Sequence, residues 1–150
     1  MAGSAADCVS WLRLLSALSK LHELNTDEPL SASQAARTLG SLLRRRRGDD
    51  YGVGTMVFDS DALYYVDGEG YELKGSAFAV GSGSVYAYPA LRDTDGADAD
   101  AALEIAERAV ATAAVRDAYS GGLLNLCVAE KGADGWRRLL RRHAPVLLNT

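Results

Sequence analysis

The sequence predicts an α+β protein: two helices, a cluster of short strands, a third helix and a closing pair of strands. Three observations carry this. Apolar residues recur at helical spacing in two stretches ahead of Gly48 and in one stretch ahead of Asp117. From Val53 to Val80 the apolar runs shorten and are punctuated by Gly and Asp, as in a meander. Two further apolar runs flank Glu130-Lys131-Gly132-Ala133-Asp134-Gly135, the composition of a hairpin turn.

The elements follow in order. Ser4 to Leu24 reads as a helix, with Ser4 and Asp7 resembling a capping box and Trp11, Leu14, Leu15, Leu18 and Leu21 on one stripe. Asn25 to Pro29 is a turn. Ser31 with Gln34 caps a second helix whose face is Ala32, Ala35, Ala36, Leu39, Leu42 and Leu43. It ends in Arg44 to Arg47, cations that suit a solvated helix C-terminus, and Gly48-Asp49-Asp50 stops it. Val53 to Asp59 and Ala62 to Asp67 form a hairpin, followed by strands at Tyr71 to Lys74 and Ser76 to Val80. An acidic loop feeds a third helix, Asp98 to Arg116, with Asp98 and Asp100 at its N-terminus and a small-residue face. Leu123 to Ala129 and Trp136 to Leu140 make the final hairpin, and Arg141 to Thr150 is left unplaced.

A chain of 150 residues, 48% hydrophobic, is the size of one ordinary domain. No apolar run approaches a membrane span, and no basic segment followed by an apolar one reads as a secretory signal. A net charge of −4 argues against a general nucleic-acid binder. The expected partners therefore include no nucleic acid and no membrane. Cys8 and Cys127 lack metal-ligand spacing, and His22 and His143 sit in no cluster of ligating residues, so no metal and no cofactor is expected. The tyrosines Tyr64, Tyr65, Tyr86 and Tyr88 read as sheet packing.

Two polar corners stand out. Arg116-Asp117-Ala118-Tyr119-Ser120-Gly121-Gly122 ends the third helix, and paired glycines take dihedrals that a residue with a Cβ resists. Gly81-Ser82-Gly83-Ser84 closes an earlier apolar run. Read alone, the first is also an ordinary helix exit, and the serines of the second are also ordinary turn hydroxyls satisfied by backbone.

Resemblance narrows the reading. The order Met1-Ala2-Gly3-Ser4-Ala5-Ala6-Asp7-Cys8, then YYVDGEGYELKGSAFAVGSGSVYAY, then RDAYSGGLLNL, then DGW resembles the proteasome beta subunits, nearest the beta type-5-like kind with chymotrypsin-like specificity. The resemblance covers about Met1 to Trp136. It implies a four-layer αββα sandwich of the N-terminal-nucleophile hydrolase type, missing its first strands, so that residues 1–150 form a single partial domain. It further implies a subunit of the proteasome core particle with threonine-type endopeptidase activity, located in cytoplasm and nucleus. Its partners would be other alpha and beta subunits in stacked rings, together with peptide substrates.

In that family an N-terminal threonine is the nucleophile and its own amine can serve as base. By resemblance Asp117, Ser120 and Ser82 orient that threonine, and Gly3 supplies the oxyanion-hole N–H. Such a donor is typically worth about 2.7–4 kcal/mol. Met1, Ala2 and Ala5 match residues that shape the pocket for an apolar substrate side chain. The threonine, its acidic partner and its lysine stand ahead of the Met-Ala-Gly match in the family. The printed chain, whose threonines are at 26, 38, 55, 94, 112 and 150, is therefore expected to be inactive, marginally stable and prone to aggregate.

A non-catalytic subunit that only packs in a ring is the alternative. A serine hydrolase built on Ser82 or Ser120 with His143 has no G-x-S-x-G elbow to support it. A dinucleotide site at GVGTMV lacks its third glycine. Departures from the family pattern are Pro89 after VYAY, a short loop near Asp59 and Ala62, and the divergent sequence after Trp136.

Overall fold

The structure, a computed structural model, describes residues 1–46, 52–94, 96–132 and 135–145, with the backbone alone described at 93, 130–132 and 135–145. Arg47, the Gly48-Asp49-Asp50 stop, part of the acidic loop and the last five residues lie outside that range. The chain forms two compact units, Met1–Ser76 and Ala77–Thr150. Both mix helices with antiparallel strands, as the α+β expectation requires.

The first unit holds β1 (Ala2–Gly3), α1 (Ala5–Thr26), α2 (Ala32–Arg45), β2 (Val53–Phe58), β3 (Leu63–Val66) and β4 (Glu72–Gly75), the strands forming an antiparallel sheet in that order. Its core is Trp11, Ala36, Leu39, Leu43, Val53 and Val66, with Met1, Cys8, Leu15, Leu42 and Tyr64 packed against it. α2 forms where the sequence places it, for local reasons. The Ser31 side chain accepts from Gln34 N at 3.3 Å while Gln34 Oε1 accepts from Ser31 N at 3.0 Å, the reciprocal pair of a capping box.

Asp59 adds a distant cap. Its Oδ2 accepts from Ala32 N at 2.8 Å, and its Oδ1 accepts from Asp61 N and Ala62 N, both at 2.9 Å, closing the β2–β3 turn. At the other end of α2, Arg44 is more than a solvated cation. Its Nη1 donates to Gly70 O and its Nη2 sits 3.2 Å from Glu72 Oε1. Gly40 makes this approach possible, since a Cβ there would stand 2.8 Å from Gly70 O and 2.7 Å from Glu72 Oε1.

Alternation along the sheet sorts its two faces. Val53, Thr55 and Val66 are buried, while Met56, Phe58 and Leu73 are exposed. The register Met56↔Tyr65 and Tyr65↔Leu73 places the exposed group on one face. Thr55 is the polar exception in the core: its hydroxyl has no hydrogen-bond partner among the described residues.

The structure differs from the sequence reading at several points here. α1 takes Ser4 as its N-cap position, but the Ser4 side chain makes no capping bond; its backbone N–H donates to Gly52 O at 3.0 Å instead. Of the α1 stripe, Trp11 is buried and Leu15 meets the core, while Leu14 and Leu21 are exposed. β1 ends one residue before the helix begins, so only the first turns of α1 are held close to the sheet.

The second unit holds α3 (Ser84–Ala87), a 3-10 turn (Tyr88–Asp93), α4 (Ala99–Arg116), β5 (Leu123–Gly132) and β6 (Gly135–Pro145). Its core is a seam of small side chains: Ala87, Ala109 and Ala113, with Ala79, Ala90 and Leu91 packed alongside. The expected strand at Ser76 to Val80 does not form; the chain leaves the sheet at Gly75. Three of those five residues are Ser or Ala, which pack poorly as a strand, and no neighbouring strand pairs with them. Tyr86 and Tyr88 lie in α3 and the 3-10 turn, half-exposed, and are not sheet residues. Pro89 sits at the start of the 3-10 turn, where its fixed φ fits and its missing N–H costs nothing. The final hairpin is longer than expected: β6 runs on through Arg141 to Pro145, with a register irregularity at Leu126/Cys127.

Candidate functional site

The site belongs to the second unit and is built by the end of α4. Asp98 caps that helix, its Oδ1 accepting from Ala101 N at 2.8 Å, and Ile105, Ala109 and Ala113 form its buried face. Asp117 is the first residue to leave helical geometry, at φ −107° and ψ 119°, while its N–H still donates to Ala113 O at 2.8 Å. The chain then folds back on itself. Ser120 N donates to Asp117 O at 3.1 Å, and Tyr119 N donates to Asp117 Oδ1 at 3.3 Å. Gly122, at φ 85°, releases the turn into β5 through a conformation that a side chain resists.

The serine loop approaches from earlier in the chain. Gly81 adopts φ 114°, and Ser84 N donates to Gly81 O at 3.1 Å, so residues 81–84 form a tight turn that opens α3. This turn delivers Ser82. Its Oγ donates to Asp117 Oδ2 at 2.6 Å, and Ser120 Oγ donates to the same oxygen, also at 2.6 Å. Both separations fall in the short range of hydroxyl–carboxylate bonds. Asp117, Ser120 and Ser82 are thus one cluster, joined across 35 residues of sequence.

The electrostatics follow from the bonds. The Ser120 hydroxyl, then the Ser82 hydroxyl, hold the Asp117 carboxyl below its ordinary value of 3.8, against a smaller opposing effect of desolvation. A carboxylate so stabilised is a poor general base near neutral pH. What it offers is fixed negative charge, plus two serine oxygens that have spent their only protons and can still accept. That set suits a protonated amine.

The remaining sequence-predicted residues belong to the first unit. Gly3 lies in β1 opposite Val53, at φ 134°, and a Cβ there would run into the Gly52 carbonyl. It is held in the sheet and is not a loose leader. Ala2 pairs with Gly54, Met1 packs on the core, and Ala5 is the exposed first residue of α1. His143 pairs with Asn125 through β6, and its side chain lies outside the described residues. Among the described residues no group of His, Cys, Asp or Glu could hold a metal ion.

One residue escaped the sequence reading. Gly83 is buried against the cluster, and a Cβ there would stand 2.6 Å from Ser120 Oγ, 2.9 Å from Ala113 Cβ and 3.2 Å from Asp117 Oδ2. Its flanking serines drew attention to the loop, but nothing local marks that glycine as the close one.

Comparison with known proteins adds the following. A family model described as proteasome subunit matches residues 1–129. The proteasome subunit beta type-5 of Gallus gallus is 47% identical over 146 residues, covering 93% of this chain and 56% of that protein. That of Spinacia oleracea is 43% identical over 145 residues, covering 93% of this chain and 53% of the relative. The probable proteasome subunit beta type-5 of Schizosaccharomyces pombe is 39% identical over 142 residues, at 91% and 52%. The chain thus spans about half the length of the curated relatives it matches.

Proposed function

The chain belongs to the proteasome subunit family and is beta type-5-like, and from that premise we propose that it works as a subunit of the proteasome core particle in the proteolytic degradation of proteins. The reaction is hydrolysis of peptide bonds by an N-terminal threonine. Asp117, Ser120 and Ser82 serve as the acceptor shell for that threonine's amine and hydroxyl. Gly3 takes the oxyanion role, and Met1, Ala2 and Ala5 border the substrate side chain. The carrying observation is the convergence of two serine hydroxyls on Asp117 Oδ2, each at 2.6 Å. A fixed anion with two spare acceptors favours the protonated amine over any proton abstraction by the carboxylate itself. In the family pattern the threonine stands ahead of the Met1-Ala2-Gly3 match, so none of these residues is assigned as the nucleophile.

The four-layer order helix–sheet–sheet–helix is part of the proposal. The apolar sheet face bearing Met56, Phe58 and Leu73 supports it, because such a face favours cover by another layer. The proposed partners are other alpha and beta subunits, and the proposed location is cytoplasm and nucleus. No helix among the described residues is long and apolar enough to cross a membrane.

The test is assembly followed by chemistry. A tagged chain expressed with the remaining subunits should sediment with core particles. Supplying the threonine-bearing family segment ahead of Met1 should yield cleavage after apolar residues and labelling by a threonine-directed covalent inhibitor, both lost in Asp117→Ala. Absence from the particle would overturn the reading. Assembly without labelling, in the presence of that segment, would leave a non-catalytic ring subunit instead.

A further inference from the structure

We infer that Gly83 is a positioning residue: the absence of a side chain there lets the Ser82 and Ser120 hydroxyls share one oxygen of Asp117. The three atoms nearest to an added Cβ are Ser120 Oγ at 2.6 Å, Ala113 Cβ at 2.9 Å and Asp117 Oδ2 at 3.2 Å. Two of the three belong to the cluster. Backbone freedom is not the reason for glycine, because φ there is −79° and ψ 0°, which any residue adopts. Space is the reason.

The loop cannot retreat to make room. Gly83 O accepts from Tyr86 N at 3.0 Å and from Ala87 N at 3.2 Å, so it anchors the start of α3. Ala87 is buried in the small-residue seam with Ala109 and Ala113 of α4. With that helix seated, a methyl group at 83 must displace the Ser120 hydroxyl, or lift the 81–84 turn and take the Ser82 hydroxyl with it. Either movement removes a proton donor from Asp117 Oδ2 while leaving the carboxylate in place. The glycine therefore acts through the serines and touches no reacting atom.

The consequence for catalysis rests on the function proposed above, but the test does not. In the 150-residue chain, the Asp117 side-chain carboxyl is followed by carbon-13 NMR through a pH titration. Its midpoint should rise toward the ordinary carboxylate value in Gly83→Ala and in Ser120→Ala, since each removes a donor to the charged form. The double variant should rise no further than Ser120→Ala alone, because deleting the Ser120 oxygen frees the space that the methyl needs. An unchanged midpoint in folded Gly83→Ala, or rises that simply add in the double variant, would overturn the inference. Should Gly83→Ala fail to fold, recovery of a cooperative thermal transition on adding Ser120→Ala supports it. No recovery overturns it, and assigns the glycine to contact with Ala113 alone. Neither result requires peptidase activity, so the role of Gly83 and the role of the whole chain can fail separately.

Discussion

The two units solve the same packing problem with opposite materials. In the first, Leu39, Leu43 and Val66 are fully buried, and volume fills the space between α2 and the sheet. In the second, Ala87, Ala109 and Ala113 form the seam, and backbones approach closely because there is little between them. A core built on volume tolerates no deletion; one built on closeness tolerates no addition. The polar cluster belongs to the second kind. A carboxylate and two hydroxyls can converge at hydrogen-bond distance only where neighbouring segments are not held apart by large side chains.

Four measurements would sharpen or break this contrast. The largest effect is expected from Leu39→Ala, which removes a side chain with no exposed surface and should cost about 2–5 kcal/mol in urea unfolding. Next comes Ala113→Leu, which should cost about 1–3 kcal/mol by overpacking the seam. It should also weaken the Ser82–Asp117 bond, since Ala113 lies against Gly83 at the base of the cluster. If shrinking Ala113 to Gly proved more damaging than enlarging it, the distinction between the two units would fail.

Thr55→Val probes the reverse case in the first unit. Its hydroxyl is buried without a partner, so a methyl of similar shape should stabilise the chain by about 1 kcal/mol, read as a higher melting temperature. A loss on that substitution would mean the hydroxyl is bonded after all. The smallest effect concerns pH. Asp117 is held below its ordinary value of 3.8, so its contribution is full above that value and disappears as pH falls through the lowered folded one. Stability plotted against pH should therefore fall less steeply for Asp117→Asn than for the native chain below about pH 5. Parallel curves would show that the hydroxyl bonds do not favour the ionised form.

The fold was legible wherever its cause is local. Ser31 and Gln34 announce their helix because a capping box is three residues of chemistry, and the stripe of Leu39 and Leu43 continues it. The Ser4–Asp7 pattern looked similar but gave no side-chain cap, since Gly52, far along the chain, engages that end of the helix. The Ser76 to Val80 strand failed because strands need partners, and sequence alone does not list them. Tail residues 141–145 resisted placement for another reason: β6 passes from Leu140, opposite Cys127, to Arg142, opposite Leu126, so the extra Arg141 breaks the alternation that marks a strand. At the site, Asp117 and Ser120 were legible as a pair. That Ser82 joins them came from resemblance and not from spacing, and Gly83 was invisible because its reason lies in the shape of residues 30 and more positions away.

Asp59 has a dynamic consequence. One of its carboxylate oxygens holds the turn between β2 and β3, and the other holds the first amide of α2, 27 residues earlier. Helix and hairpin are therefore latched by a single hinge pin, so fraying of one should loosen the other. In deuterium exchange the amides of Ala32, Asp61 and Ala62 should open together, at a common free energy, and Asp59→Ala should release all three at once.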